Sequence, residues 1–281
     1  GYKTKEAMRK EKEGEAEKAE EIVGVPDWKV LEAEKKEIEP GVWLFIYDAE
    51  GKIIRKVEGK NNTGFNRMSW NLSTESTATI SPENKDRKGA GYRAAPGKYS
   101  AQLFKKIDGN YAAIGNKVSF EVKPFNQGAL EGSSPSEVVD HWQTVSALRV
   151  KTNDLNADVK DTKNTIEVML VAYDKATGSD DALLTELLKL RDQILALEQK
   201  LGGSKARSEV GEKNEYPAIY HYLWNSSNGG STYGPTQTQL KCLKNANTLY
   251  DQMSTELNGI KNAMAPLEGK LEAIGAPKIK K

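Results

Sequence analysis

Hydrophobic positions in the C-terminal half of the chain recur every three or four residues, which is typical of helices with one buried face. The first such stretch, residues 138–173, follows the capping box at 134–137, which has proline at the first helical position. A second stretch covers residues 180–201, and a third covers residues 236–274. Because Pro266 removes a backbone donor, we expect it to kink the third helix. The pattern predicts an antiparallel three-helix bundle.

Upstream, the apolar period changes to two, as in β-strands. Residues 42–47 are apolar on both faces, so this strand is expected to lie between two layers. The turn at 48–51 and residues 52–57 complete a predicted hairpin. Further strands are expected at Phe65–Leu72, Lys98–Lys105, Tyr111–Ile114 and Val118–Val122. Short strands separated by frequent turn signals predict an antiparallel immunoglobulin-like β-sandwich.

Composition and clusters of turn-forming residues divide the chain into predicted domains and linkers. Residues 1–40 form a charged linker or helical lead-in, and residues 41–126 form the sandwich. A Gly/Ser-rich linker follows at 127–135. Residues 136–281 form the helical bundle, which includes an aromatic loop at 203–235. The predicted fold class is therefore α+β, with the sandwich followed by the bundle.

Two stretches are expected to be exposed connections. In the lead-in, Gly14 is expected to interrupt a solvated helix. The lead-in also has one apolar anchor, which is expected to dock on a neighbouring domain and consists of Val23, Val25, Pro26 and Trp28. Residues 73–90 hold mainly polar side chains and glycine, so they predict a mobile loop between two strands.

The net charge of the chain bears on which classes of partner are expected. Forty-one Lys and Arg residues against forty Asp and Glu residues give a formal net charge of +1. This balance removes the main electrostatic argument for nucleic acid or an acidic membrane surface. The chain also lacks an apolar run long enough to predict a membrane span. Because it opens at Gly1 without an apolar signal core, we expect a processed or truncated piece of a longer protein.

Few residues suit catalysis or metal binding. His141 is expected to be a surface or capping residue, His221 a packing residue, and Cys242 a buried thiol. Asp180 and Asp181 occupy the first turn of a predicted helix, where the helix dipole accounts for them.

Acid–base catalysis needs two carboxyl groups that converge in a cleft. The loops offer Glu83, Asp86 and Asp108, but their spacing does not bring them together. The sequence therefore predicts no catalytic residue, no cofactor-binding residue and no metal ligand.

The aromatic loop at 203–235 has two interpretations. The second helix is roughly 20 Å shorter than the other two at 1.5 Å per residue, which leaves an apolar strip near Trp142 and Val145 uncovered. We expect the aromatic cluster to fold as a short helical turn over that strip. In the alternative, the cluster faces outward as a binding patch formed by Tyr216, Tyr220, Tyr222 and Trp224.

Four segments carry a recognisable pattern: Gly41–Asp48, Gly51–Arg55, Gly64–Leu72 and Ala95–Tyr99. They resemble the bacterial immunoglobulin-like module that follows the propeller in sortilin-type, BNR (Asp-box) repeat proteins. The lead-in with Pro26-Asp27-Trp28 is similar to the segment that joins propeller and module in that family. The helical tail, which starts at Gly234-Pro235-Thr236 and ends at Gly275-Ala276-Pro277, is also similar.

The resemblance implies a parent protein exported to the cell surface, periplasm or medium. Such proteins are often labelled glycosyl hydrolases, because their Asp-box propellers are similar to those of sialidases. No Ser-x-Asp-x-Gly-x-x-Trp box occurs in the 281 residues, so no catalytic residue of the family is carried over.

We therefore expect a non-catalytic accessory region in which the sandwich is a spacer and the bundle is a protein-docking surface. The expected partner is a cell-surface protein or an upstream propeller, and no cofactor is expected. The alternative is a carbohydrate-binding module of a surface glycan-processing protein, since aromatic rings stack on sugars. Its candidate residues are Trp43, Tyr47, Trp70, Tyr92 and Tyr99, although alternation places most of them in the sandwich core.

Overall fold

The computed structural model describes residues 2–80, 89–125, 132–214, 217–227 and 234–279. These residues form two compact units. The sheet unit comprises residues 2–76 and 89–125, and the helical unit comprises residues 77–80 and the described residues from 132 onward. Helices and antiparallel strands are both present, so the predicted α+β class is confirmed.

The secondary structure follows the change of apolar period along the chain. The strands are β1 (Gly41–Tyr47), β2 (Ile53–Gly59), β3 (Ser73–Glu75), β4 (Ala90–Arg93), β5 (Gly97–Ile107) and β6 (Asn110–Val122). The helices are α1 (Lys5–Lys18), α2 (Trp28–Lys35), α3 (Pro135–Asp174), α4 (Asp181–Gly202), α5 (Lys205–Glu209), α6 (Ile219–Ser227), α7 (Gln237–Met264) and α8 (Leu267–Ala273).

Two helices of the lead-in precede the first strand. Gly14 lies inside α1 and does not interrupt it, contrary to the prediction. Glycine costs only about 1 kcal/mol in a helix interior. Within α1, Arg9 forms an i,i+4 ion pair with Glu13, and a second ion pair from Arg9 to Glu34 ties α1 to α2. The hydrogen bond from Arg9 lowers the pKa of the Glu34 carboxyl. In the predicted apolar anchor, Val25 and Trp28 are exposed, so neither packs on the rest of the described chain.

Four strands form one antiparallel sheet in the order β2–β1–β5–β6. The predicted hairpin of β1 and β2 is confirmed, with Gly51 of its turn at φ 84°, a backbone conformation that favours glycine. The short strands β3 and β4 pair antiparallel in a second sheet. The guanidinium of Arg55 in β2 links the two sheets, because its Nη1 donates to the carbonyls of Thr74 and Gly89.

The strand predicted at Phe65–Leu72 is wrong, because this segment is irregular. Local side-chain hydrogen bonds replace a strand ladder there. The amide of Asn66 donates to two carbonyls of the preceding turn, and the indole N–H of Trp70 donates to the carbonyl of Ser73. Phe65, predicted to lie on a strand face, is 93% exposed.

Two more expectations about the strands need correction. The segments Tyr111–Ile114 and Val118–Val122 belong to one strand, β6, with an irregularity where Gly115 has φ 69°. The loop predicted at 73–90 begins as β3, and β4 starts at its last residue. Residues 81–88 lie outside the described residues, so the mobility of this loop stays a prediction.

The helical unit has the predicted helix starts. Both capping boxes are present, at Ser134–Glu137 and Thr236–Gln239. The third predicted helix is interrupted as expected, since α7 ends at Met264 and α8 begins after Pro266. In the connection between α3 and α4, the N–H of Gly178 donates to the carbonyl of Ile274, just after α8, at 2.9 Å.

A continuous aliphatic core joins α3, α4, α6, α7 and α8. Its buried members are Val145, Leu148, Leu155, Val159, Ile166, Met169, Leu183, Leu187, Leu190, Ile194, Leu197, Leu201, Ile219, Leu223, Leu243, Ala246, Met253, Leu257, Ile260, Leu267 and Leu271. Thr152 and Thr162, which fill two steps of the α3 pattern, are also buried, and each hydroxyl donates to the carbonyl four residues earlier. The buried threonines therefore keep their polar groups satisfied within the helix.

Candidate binding surface

Alternation along β1 directs Trp43, Phe45 and Tyr47 to one face of the four-stranded sheet. Phe104 of β5 pairs with Trp43 in register and stacks on Phe45, with ring centroids 4.3 Å apart. The ring of Tyr111 in β6 lies 5.2 Å from that of Phe45 and meets Trp43 edge-on at 6.1 Å. We call these five residues the aromatic face. Phe45 is only 5% exposed at its centre, whereas Tyr111 is 39% exposed at its rim.

Two lysine ammonium groups lie over the rings of the aromatic face. The Nζ of Lys56 is 4.8 Å from the ring centroid of Phe45 and 5.4 Å from that of Tyr111. The Nζ of Lys117 is 3.6 Å from the ring centroid of Tyr47. Such cation–π contacts contribute about 0.5–2 kcal/mol. The ion pairs of the described sheet unit use other basic residues, so neither ammonium has a carboxylate partner there.

The strand register adds further charges to the same side of the sheet. Lys98 and Lys106 of β5 pair with Glu121 and Tyr111 of β6, and Glu58 of β2 pairs with Trp43. The carboxylate of Glu121 lies 3.1 Å from the ammonium of Lys123. With Lys56 and Lys117, the strands therefore place four lysines and two glutamates on this face, which makes it cationic.

The opposite face of the sheet is used for packing. Trp70 lies against Tyr99 and Phe120, with ring centroids 5.4 and 6.1 Å apart. The hydroxyl of Tyr99 donates to the carbonyl of Ala95, and burial raises the pKa of Tyr99. Tyr92 is half-buried in β4. Of the aromatic residues considered for sugar stacking, only Trp43 and Tyr47 thus belong to the aromatic face.

The residues of the binding patch predicted in the aromatic loop have different surroundings. Tyr216 lies outside the described residues. Tyr220 is half-buried, its hydroxyl donates to the Oδ1 of Asn153 at 3.1 Å, and burial raises its pKa. Tyr222 packs against the helical core, whereas Trp224 is 65% exposed. Among the described members, only Trp224 is largely available to a partner.

The short helix α6 places these side chains. Ile219, Leu223 and Ser226 recur at helical spacing and are buried, and α6 contacts α3, α4 and α7. The helical turn predicted for this segment is therefore present. The aromatic contact predicted with Trp142 is wrong for the described residues, where the ring partner of Trp142 is His141. The aliphatic side of α6 is buried in the core, and Tyr220 and Tyr222 are partly buried against it.

The histidines and the cysteine have structural surroundings. His141 is buried, and its Nε2 lies 2.9 Å from the carbonyl of Ser226, so it caps α6 and is not a surface residue. His221 is exposed, which contradicts the predicted packing role, because it lies on the outer side of α6. Cys242 is half-buried instead of fully buried.

Two of the described candidate carboxylates have structural partners. Asp180 precedes the first turn of α4 and caps it by accepting hydrogen bonds from two backbone N–H groups. The Oδ1 of Asp108 lies 3.8 Å from the Nζ of Lys5. Glu83 and Asp86 lie outside the described residues.

Within the ranges that the structure describes, no group of three or more His, Cys, Asp or Glu side chains is arranged to hold a metal ion. No helix in those ranges is long and apolar enough to cross a membrane. At the aromatic face, the rings meet two ammonium groups that have no carboxylate partner within the described part of the sheet unit.

No protein-family model, no curated protein and no solved structure matches this chain. The resemblance to the module of sortilin-type proteins is therefore carried by the sequence motifs. In the structure, the segment at 41–48 contains β1 and the segment at 95–99 leads into β5. The segment at 64–72 is irregular and carries Trp70 to the opposite face of the sheet.

Proposed function

We propose that this chain is a non-catalytic accessory region of a larger exported β-propeller protein and that it docks a protein partner. The aromatic face with Lys56 and Lys117 carries the docking part of this proposal. Aromatic side chains supply large contact areas at interfaces, and complementary charges select the partner. We therefore assign the docking surface to the sheet unit and the spacer role to the helical unit, the reverse of the expectation from the sequence.

The proposed architecture of the sheet unit is an immunoglobulin-like sandwich. Its support is the packing on the face opposite the aromatic face, where Trp70 lies on Tyr99 and Phe120. The link from Arg55 to the β3–β4 pair also favours a second layer. The proposed architecture of the helical unit is an antiparallel three-helix bundle of α3, α4 and α7, supported by their shared core.

The propeller parentage and the export of the parent protein rest on the motif resemblance. Site-specific photocrosslinking in the cells that make the full-length protein tests the docking role. A benzophenone side chain is introduced at Ala113, which pairs with Phe104 on the aromatic face, or at the adjacent Ala112, which pairs with Lys105 on the opposite face. Both alanines are exposed, so they form a matched pair.

We expect illumination to give a discrete protein adduct from position 113 and none from position 112. Substituting Lys56 and Lys117 with glutamate should abolish the adduct. Equal adducts from both positions, or none from position 113, would contradict docking through the aromatic face.

A second candidate function is binding of carbohydrate by the same face. It is favoured by the exposed rim residue Tyr111 next to the half-buried Trp43. This function predicts saturable binding on a glycan array that is lost in Tyr111→Ala. Phe65→Ala is the matched control, because Phe65 is an exposed ring outside the aromatic face.

A further inference from the structure

The ammonium groups of Lys56 and Lys117 lie over neighbouring rings of one strand. Phe45 and Tyr47 are two residues apart on β1, so their side chains are about 7 Å apart at the rise of an antiparallel strand. Each ammonium lies close to its own ring, at 4.8 Å from the centroid of Phe45 and 3.6 Å from that of Tyr47. The rings therefore hold two positive charges side by side along β1.

These two charges repel each other. Two described carboxylates near them, those of Glu121 and Glu75, have other partners. Glu121 pairs with Lys123. Glu75 pairs with the guanidinium of Arg55 and accepts a hydrogen bond from the backbone N–H of Lys56, not from its ammonium. A ligand that brings two carboxylates to this surface would remove the repulsion and form charge-assisted hydrogen bonds.

An extended peptide has the matching spacing. Side chains at positions i and i+2 of a strand point the same way and lie about 7 Å apart. Glu58 lies on the same face, two residues from Lys56 on β2, and is engaged in a contact of its own. We propose that the aromatic face binds an extended acidic segment of the partner protein, in which Asp or Glu at alternate positions pairs with Lys56 and Lys117. This inference rests on the proposed docking function and names the chemistry of the partner.

The surroundings of the rings favour a peptide over a sugar polymer or a single-stranded nucleic acid. Both of the latter bind aromatic platforms by stacking on open ring faces. Phe45 and Tyr47 are almost fully buried, and ammonium groups occupy the space over them. Acidic side chains, in contrast, reach the ammonium groups on short flexible stems while their methylene groups contact the rim at Tyr111.

Fluorescence anisotropy with the full chain tests the inference. The probe is a labelled ten-residue peptide of alternating Glu and Thr. One comparison peptide has Gln for Glu, and the other, EETTEETTTE, has the same five Glu placed so that no two are two residues apart. We expect the alternating peptide to bind at least about tenfold more tightly than either comparison peptide. Raising the salt concentration should weaken this binding.

The variants locate the site. Lys56→Met with Lys117→Met should weaken binding of the alternating peptide about tenfold or more, whereas Lys56→Arg with Lys117→Arg should retain it. Lys105→Met is the matched control, because Lys105 belongs to the same sheet but pairs with Val42 and Ala112 on the opposite face. Circular dichroism of each variant verifies that it is folded.

Polygalacturonate and oligothymidylate are the competing probes. Binding of either one that depends on both lysines, without binding of the peptide, would overturn the peptide assignment. Equal binding of the alternating peptide and EETTEETTTE would overturn the spacing. If no peptide binds while the adduct at position 113 persists, this inference fails and the docking function stands; loss of both rejects both.

Discussion

The two units of this chain are stabilised by different means. In the helical unit, aliphatic side chains from five helices meet in one continuous core. In the described sheet unit, the buried large apolar side chains are Phe45, Ile46 and Tyr47 of a single strand. Several apolar side chains of β5 and β6 remain partly exposed, including Leu103, Ile114 and Val118.

The contrast separates stability from binding. A continuous core makes the helical unit a stable spacer, because the stabilisation scales with the apolar area removed from water. The sheet unit instead keeps Lys56, Lys117 and the rim residue Tyr111 exposed at its surface, where they are available to a partner. We therefore expect the helical unit to unfold at a higher denaturant concentration than the sheet unit.

The largest effect is expected in the helical core. Leu187 is fully buried in α4, so Leu187→Ala should lower the free energy of unfolding by about 2–5 kcal/mol. Denaturant unfolding followed by far-UV circular dichroism measures this change. Val168→Ala in α3 is the matched control, because Val168 is largely exposed and should change stability by about 0.5 kcal/mol or less. Similar losses in both variants would contradict a core-dominated helical unit.

Helical features were the most predictable from the sequence. The spacing of apolar residues in α3 and α4 and the capping boxes at Ser134 and Thr236 depend on local chemistry, and the structure has them. The prediction that Gly14 interrupts α1 was wrong. The ion pair between Arg9 of α1 and Glu34 of α2 stabilises α1, and the sequence pattern of α1 alone does not reveal that contact. Local patterns therefore predict helices well and their tertiary supports poorly.

The candidate site was only partly accessible to sequence reasoning. Alternation along β1 indicates that Trp43, Phe45 and Tyr47 share a face, but it does not show which face is exposed. The positions of Lys56 and Lys117 over the rings depend on register across four strands, which no local pattern specifies. For Lys56, the signal is its place opposite an aromatic residue of β1 in the predicted hairpin, whereas Lys117 lies in β6, outside that hairpin.

A smaller effect is expected at Arg55, which forms one of the polar links between the two sheets. Arg55→Met removes the donor to the carbonyls of Thr74 and Gly89, which should cost about 1–3 kcal/mol. The cost is limited because the buried Nε of Arg55 has no hydrogen-bond partner among the described residues and is removed too. Hydrogen exchange measured by mass spectrometry should accelerate in β3 and β4 and stay unchanged in α3 and α4.

Arg55→Lys should rescue the link only in part, because a single ammonium does not reproduce the planar fork of donors. Lys105→Met is the control on the same side of the sheet. If exchange in β3 and β4 is unchanged in Arg55→Met, the guanidinium link does not hold the two sheets together.

The smallest effect is expected at the rim of the helical unit, where Lys163 of α3 pairs with Glu198 of α4 at 2.8 Å. The hydrogen bond between them lowers the pKa of Glu198 and raises the pKa of Lys163. The stabilisation by Glu198 is present above its unfolded pKa of about 4.3 and is lost as the pH falls through the lower folded value. The stabilisation by Lys163 is present below its unfolded pKa of about 10.4 and is lost as the pH rises through the higher folded value.

The pair should therefore contribute a constant coupling energy between about pH 4.3 and 10.4. We expect about 0.2–1 kcal/mol from a double-mutant cycle with Lys163→Met and Glu198→Gln, because both side chains are partly exposed. The coupling should shrink in high salt and disappear in strong acid. A coupling above about 2 kcal/mol at neutral pH would approach the loss of stability caused by truncation of a core side chain. Such a value would contradict the expectation that the aliphatic core dominates the stability of the helical unit.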